Sequence, residues 1–528
     1  MNTIERKNTG SFYTSNSISD FVSKWAINDA SATILEPSFG DGIFIESALN
    51  RFKNLNNNSP SICGVELQKE PYMRAISNYP NVETHLIDYM EFETEKRFDA
   101  VIGNPPYVSL KKLKSDDRKK AFQCMKTEKY ELNPSASLWV PFIVKSVNLL
   151  NRNGKLGFVL PYELTYVRYA FPLWSFLSDN FGELSIIRLY DDFFPDVDVE
   201  TVLLLADRKG DTTKHLKYRV FNDIDSLLKN SPEIDEQILI DDVIQMRKPF
   251  ECKLMTSDLQ ELLSELERKE ILQPMLGECK FKIGYVCGNK DYFHPDNSTV
   301  IDFGLDQDSL LPCLLNSRDL LQKNGVGLDA GKNITHRSLF FPKNPDENDL
   351  NYIKYGETKN VHKGYKCSIR TPWYLTPNIE IPDLIMSVFG DIPKLITNSG
   401  KYVVSNSLLS GTVNDKSNVT SLACRWYNSL TLLLVELNVH SLGGGTLVAI
   451  PGEIDKMSML KTINGADYDG IFDQLDMCAK SEGLAAAYEL GNSLVLKDLY
   501  GFTEKQIDVI NYNLSKLRNW RRPDNRRG

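Results

Sequence analysis

Asn104-Pro105-Pro106-Tyr107 follows the apolar run Ala100-Val101-Ile102-Gly103, so a buried strand passes directly into a stiff polar turn. Neither proline carries an N–H to occupy nearby carbonyls. The Asn104 side-chain oxygen and the Pro105 carbonyl can then face one point in space. An amino group with two N–H donors would satisfy both acceptors, and Tyr107 supplies a flat face for a planar base. A second cluster lies upstream, in Glu36-Pro37-Ser38-Phe39-Gly40-Asp41-Gly42. Its glycines let the backbone approach a ligand closely, and the N–H groups of a following helix are available. The pattern is neither Gly-x-Gly-x-x-Gly nor a P-loop, which points to a nucleoside-like ligand without a pyrophosphate. Glu66, 24 residues after Gly42, closes one apolar run and can accept from ribose hydroxyls. Asp88 closes the next and is placed to accept from an adenine amino group. Either carboxylate alone is readily a helix cap. Together they describe an adenosine-shaped slot.

These residues need strand ends to hold them. Short β-rich runs at 33–36, 61–66, 82–87, 98–103, 155–160, 185–190 and 201–206 alternate with helical spacing at 42–52 and 137–150. Asn153-Gly154 is expected to close the second helix with a turn. The pattern predicts a doubly wound α/β domain with a parallel sheet over 1–215. A connecting segment over 216–270, with a charged helix at 257–270, is expected to lead into an irregular α+β domain over 271–528. That domain is expected to carry polar loops at 329–336 and 342–360 and a helix at 502–519.

A chain of 528 residues, 42% hydrophobic and 25% charged, is of ordinary globular type and too long for one core. Its longest apolar runs, such as Leu432-Leu433-Leu434-Val435, fall far short of the ~18 residues of a spanning helix. No apolar segment follows Met1, so the expected location is cytoplasmic, with no membrane partner. Nine scattered cysteines without Cys-x-x-Cys, and six dispersed histidines, suggest reduced thiols and no metal site. The net charge of −9 does not exclude nucleic acid, because binding depends on where charge sits. Residues 111–129 carry eight Lys/Arg, among them Lys111, Lys112 and Lys114, and residues 516–528 carry six. The first run follows the Asn104–Tyr107 turn and is placed to hold phosphates.

The glycine turn at 35–44 with Asn104-Pro105-Pro106-Tyr107 resembles the S-adenosylmethionine-dependent DNA adenine-N6 methyltransferases. Thr9-Gly10-Ser11-Phe12-Tyr13-Thr14 is similar to that family's N-terminal cofactor motif. The order of motifs, with a large variable region last, matches the gamma group of type II restriction–modification methylases. The resemblance implies a Rossmann-like class I methyltransferase domain followed by a DNA target-recognition domain. It implies that Thr9, Gly10, Tyr13, Thr14, Glu36, Pro37, Ser38, Gly40, Gly42, Glu66, Leu67, Asp88 and Asn104 bind S-adenosylmethionine. Asn104 and Pro105 would hold the target amine, with Pro106 in the same catalytic motif, and Tyr107 would stack on a flipped adenine. Phe194, with Phe193 as the neighbouring alternative, matches the second aromatic of the base clamp. Arg370, Trp373 and Tyr374, and the stretch at 441–446, are similar to recurring parts of the recognition domains. Double-stranded DNA is the implied substrate of a monomer or dimer, with a restriction endonuclease on a separate chain.

Three rival readings share these residues. Asn-Pro-Pro-Tyr also serves methyltransferases of RNA and of protein glutamine, although the long region after the core favours a DNA reader. A fused nuclease would use Pro345-Asp346 with Glu357-Thr358-Lys359, which lack flanking apolar strands. A non-catalytic specificity subunit would have no need of intact catalytic residues.

Overall fold

The computed structural model describes residues 14–126, 133, 136–189, 201–245, 248–321, 325–328, 338–441 and 445–521. They form two compact units, one reaching Lys253 and one spanning Leu254–Arg521. No helix among the described residues is long and apolar enough to cross a membrane.

The first unit is built on nine strands. They are β1 (Thr33–Glu36), β2 (Ser61–Glu66), β3 (Glu83–Leu86), β4 (Phe98–Gly103), β5 (Leu150–Pro161), β6 (Phe181–Leu189), β7 (Thr201–Lys209), β8 (His215–Phe221) and β9 (Ile234–Leu239). Their order is β3-β2-β1-β4-β5-β7-β6-β8-β9. The strands from β3 to β5 run parallel, and β7 lies antiparallel between β5 and β6. Helices α1 (Asn16–Ala26), α2 (Ile43–Asn54), α3 (Lys69–Asn78), α4 (Ser115–Met125), α5 (Trp139–Leu149) and α6 (Phe171–Ser178) belong to the same unit. This is the doubly wound α/β architecture expected from the alternation of apolar runs, but the sheet is mixed rather than parallel throughout, because β7 and β9 pair antiparallel.

Burial explains why β4 reads as continuous apolar sequence. Ala100, Val101 and Ile102 are all fully buried, as a parallel strand covered on both faces requires. One face packs on Ile18 and Val22 of α1 and on Phe44, Ala48 and Phe52 of α2. The last three are spaced i, i+4, i+8, one stripe of a helix. The strand order also locates the ligand cleft. The chain builds β1, β2 and β3 outward, then returns to place β4 on the other side of β1. Ligands bind outside the carboxyl ends of strands at such a reversal, here where Glu36 and Gly103 end β1 and β4.

Two expectations are corrected here. Asn153-Gly154 does not cap a helix: α5 ends at Leu149 and β5 begins at Leu150. Leu150 pairs with Phe98, but the next pair is Lys155 with Ala100, so the intervening residues bulge out of the ladder. Asn153 has φ +63, and Asn151 Nδ2 donates to Asp99 Oδ1 at 2.7 Å. A left-handed Asn suits a helix end or a bulge equally, and only the neighbouring strand decides between them. Residues 216–253 are likewise more than a connection, since β8 and β9 complete the sheet there.

The second unit is irregular α+β, as expected. A four-stranded antiparallel sheet has the order Cys279–Ile283, Leu408–Val413, Leu384–Ser387, Leu395–Thr397. Helices Val419–Trp426 and Ser429–Asn438 are almost wholly buried, and Glu504–Arg521 is the expected terminal helix. The expected polar loop at 342–360 is instead largely a helix, Glu347–Thr358. Asp346 caps it by accepting from the Asp349 N–H at 2.8 Å, and Tyr352 and Ile353 face the core. A capping box thus explains an acidic residue that formally fits a nuclease pattern. The expected loop at 329–336 lies outside the described residues.

Candidate active site

The turn after β1 is shaped by two glycines in the left-handed region, Gly40 (φ +53) and Gly42 (φ +84). A Cβ on Gly42 would lie 2.7 Å from the Tyr79 ring, so glycine is required there twice over. Phe39 N–H donates to the Val65 carbonyl at 3.1 Å, which ties the turn to β2. Glu66 makes the second tie. Its carboxylate accepts from the N–H of Gly40 at 2.8 Å and of Gln68 at 2.7 Å. The predicted ribose acceptor therefore also holds the glycine turn in place while lining the cleft. Burial raises its pKa above the ordinary carboxyl value.

Glu36 is only 2% exposed, and its Oε2 has no hydrogen-bond partner. Burial first, and the nearby Glu66 charge second, push its pKa well above the usual range. A buried carboxylate oxygen without a partner is costly unless a cation or donor arrives to meet it. At the other end of the cleft, the Asn104 amide Nδ2 donates to Thr14 Oγ1 at 3.2 Å. Ser38 Oγ donates to the Asn104 backbone carbonyl at 3.3 Å. The two ends of the site, 66 residues apart, are thereby held together. Tyr107 Oη donates to the Val159 carbonyl of β5 at 3.1 Å, fixing the ring by its far end. Burial, and then the Glu163 charge, push that phenol's pKa well up, so it remains a neutral donor.

Glu36, Ser38, Gly40, Glu66, Thr14 and Asn104 border a cleft of about 420 Å³, a volume typical of small-molecule sites, and Tyr107 is not among its lining residues. Of the predicted cofactor residues, Thr14, Glu36, Pro37, Ser38, Gly40, Glu66, Leu67, Asp88 and Asn104 line it, with Pro106. Leu67 is 66% exposed there. Asp88 Oδ1 also accepts from Met90 N–H at 2.9 Å, so this carboxylate is both cap and wall. Gly42 and Pro105 are buried and are not among the lining residues. Thr9, Gly10, Tyr13, Phe193 and Phe194 lie outside the described residues. Arg74, Met90, Leu113, Leu138 and Phe142 also line the cleft, and none of them was among the expected cofactor residues. They come from helices and loops without a local motif. Only Arg74, ion-paired with Asp41 of the glycine turn, had a charge to mark it.

The basic run at 111–129 is not one loop. Lys119 and Lys120 lie in α4 and are matched by Asp116, Asp117 and Glu91. Lys111, Lys112 and Lys114, ahead of that helix, are exposed and make no ion pair among the described residues. In the second unit Arg370 donates to the carbonyls of Cys287 at 2.8 Å and Val286 at 2.6 Å. Trp373 and Tyr374 are half-buried against an aromatic cluster with Tyr292 and Phe293. Packing occupies much of the surface of all three. Of the stretch at 441–446, residues 442–444 lie outside the described residues. In the C-terminal basic run, Arg521 is consumed by Glu436, and Arg522 onward is outside the described residues.

Residues 31–194 match the family Eco57I restriction-modification methylase, and residues 247–496 match the C-terminal domain of type II methyltransferase M.Eco57I. The chain is 25% identical to type II methyltransferase M.AccI of Acinetobacter calcoaceticus, over 82% of this chain and 78% of that protein. It is 23% identical to type II methyltransferase M.BstVI of Geobacillus stearothermophilus, over 67% and 70%. The type IIL restriction-modification enzyme MmeI shares the fold, with a TM-score of 0.54 at 10% identity over 98% of this chain and 77% of that one. An orphaned buried carboxylate oxygen, a left-handed glycine turn and an exposed leucine in one cleft fit a cationic adenosyl ligand. The chain belongs to the type II restriction–modification DNA methyltransferases, a class I methyltransferase with S-adenosylmethionine as its cofactor.

Proposed function

We propose that this methyltransferase modifies the N6 amino group of an adenine flipped out of double-stranded DNA, as a gamma-group enzyme protecting a recognition site. The observation that carries the reading is the held amide of Asn104 at the end of β4. Nδ2 donates to Thr14 and the backbone carbonyl accepts from Ser38, which fixes the orientation of the side chain whose oxygen would accept from the amine. S-adenosylmethionine supplies an electrophilic methyl group on a sulfonium. Asn104 and the Pro105 carbonyl accept the two amine N–H groups out of the ring plane, which localises the nitrogen lone pair. Neither is a usable base at neutral pH, so the rate comes from positioning and electrostatics, and the proton leaves to solvent afterwards. Tyr107, fixed through its hydroxyl, stacks on the flipped base, and Phe194 closes the other face. Extrusion costs a few kcal/mol of stacking. Lys111, Lys112 and Lys114 neutralise phosphates beside it.

Incubation with S-adenosylmethionine and unmethylated DNA, followed by nucleoside mass spectrometry, is expected to yield N6-methyladenine. N4-methylcytosine would sink the adenine assignment. Methyl groups found only in RNA or protein would sink the DNA acceptor.

Glu36 makes the cofactor step pH-dependent. Its pKa is raised on folding, so the stability it contributes is present below about 4.5 and is lost as pH rises through the folded value. The cofactor's ammonium beside Oε2 would lower that pKa and recover the lost stability. The rise in Tm given by S-adenosylhomocysteine is therefore expected to grow from about pH 5 to about pH 8, and Glu36→Gln is expected to flatten that growth. An equal rise at every pH in the unsubstituted protein would remove Glu36 from this role.

A further inference from the structure

Residues 359–379 of the second unit contain Lys359, Lys363, Lys366 and Arg370 and no acidic residue, in a chain of net charge −9. The centre of this segment projects from the fold. Tyr365 is 74% exposed and Ile369 65%, four residues apart across the short helix Tyr365–Ser368. Side chains at that spacing are neighbours on one face. Lys363 and Lys366 flank them and are exposed, with the Lys366 ammonium 5.6 Å from the Tyr365 ring centre.

The projection is firmly founded. Val361 and Cys367 are buried in the core beneath it. The Arg370 guanidinium clamps the two carbonyls of Val286 and Cys287, and Cys367 Sγ lies 3.8 Å from the second of these. Large side chains held out in water by a rigid base cost hydrophobic free energy unless something covers them. Their cover is identified by the surrounding charge. The centres of protein interfaces are depleted in lysine. DNA contacts, by contrast, combine Lys/Arg on phosphates with aromatic or aliphatic groups against bases.

We infer that the knuckle formed by Lys363, Tyr365, Lys366 and Ile369 is a duplex-DNA contact of the second unit. The two lysines hold phosphates, and the Tyr365–Ile369 pair lies against base edges or between base steps. The inference rests on the DNA reading above and moves the contact from Trp373 and Tyr374, which pack inward, to the exposed turn before them.

The test measures binding of the full-length protein to a plasmid-derived duplex by fluorescence anisotropy across about 50–200 mM salt. Lys363→Ala/Lys366→Ala is expected to lower the slope of log K against log salt by about 2, at 0.9 per phosphate contact. Tyr365→Ala/Ile369→Ala is expected to weaken binding about tenfold with the slope unchanged. Lys505→Ala, an exposed lysine elsewhere in this unit, serves as the charge control and is expected to change little. All four substituted side chains of the knuckle are exposed, so equal Tm values check that the fold is intact. If the unsubstituted protein binds and methylates DNA while both double variants match it, the knuckle assignment is overturned and the surface belongs to a protein partner. If the unsubstituted protein neither binds nor methylates DNA, the DNA reading beneath it fails instead.

Discussion

Asn104→Ala is expected to lower methyl transfer at least about a thousandfold while leaving S-adenosylhomocysteine affinity within a few-fold. The argument is geometric. In the ground state the target nitrogen shares its lone pair with the ring, and the amide oxygen at the end of β4 has its full effect only as that pair localises. An interaction strengthened in the transition state is lost from turnover rather than from binding. The cofactor slot is held by other contacts, Glu66 on Gly40 and Phe39 on Val65, which the substitution does not touch. Asn104→Asp is expected to fall between the two. It keeps an acceptor for the amine, and the Thr14 hydroxyl, which accepts from the Asn104 amide, can turn to donate to the carboxylate, but the added charge must be buried beside Glu36 and Glu66. Single-turnover transfer of labelled methyl groups, with calorimetry for the cofactor, separates these effects. An Asn104→Ala protein within tenfold of the unsubstituted rate would remove the residue from the chemistry.

The second large effect lies in the other unit. Glu436 sits in the buried helix Ser429–Asn438 and receives Arg521 through two hydrogen bonds of 2.8 Å each. Arg518 lies 3.7 Å away, and Arg521 also meets Asp391 and the Gly445 carbonyl. Both partners of the central pair are less than a tenth exposed. Glu436→Ala would leave two guanidinium groups facing each other with no buried anion between them. Breaking such a pair costs about 3–5 kcal/mol. For a unit of this size the expected fall in Tm is about 10 °C. Arg521→Met/Glu436→Leu is expected to recover much of the loss, since an apolar replacement removes both desolvation penalties. Thermal unfolding followed by circular dichroism reads the difference. A fall under about 2 °C for Glu436→Ala would show that water already screens the pair.

Both predictions depend on contacts that the local sequence shows unequally. Strands β1, β2 and β4 were placed at their observed bounds because each is a near-continuous apolar run between turn residues. β8 lies outside the expected strands although Leu216, Tyr218 and Val220 alternate inward. β9 carries the run Asp235-Glu236-Gln237, whose polarity hides a strand at the edge of the sheet. The first half of β5 is hidden because Asn-Gly serves bulges and caps alike.

By itself the sequence determined the chemistry on offer: an amide and a carbonyl after a strand, a glycine turn, and acids at successive strand ends. Residue types and short spacings carry that information because side-chain chemistry and backbone stiffness are local. The tertiary structure alone decided which of these meet. The return of the chain across β1 put Ser38 against the Asn104 carbonyl and Thr14 on its amide, and set Glu66 to pin Gly40. It also turned Trp373 inward and Tyr365 outward, and made Arg521 a core residue although it sits in a basic C-terminal run. Strand order and helix packing set those distances, and they arise from burial summed over the whole chain, which no window of neighbouring residues contains.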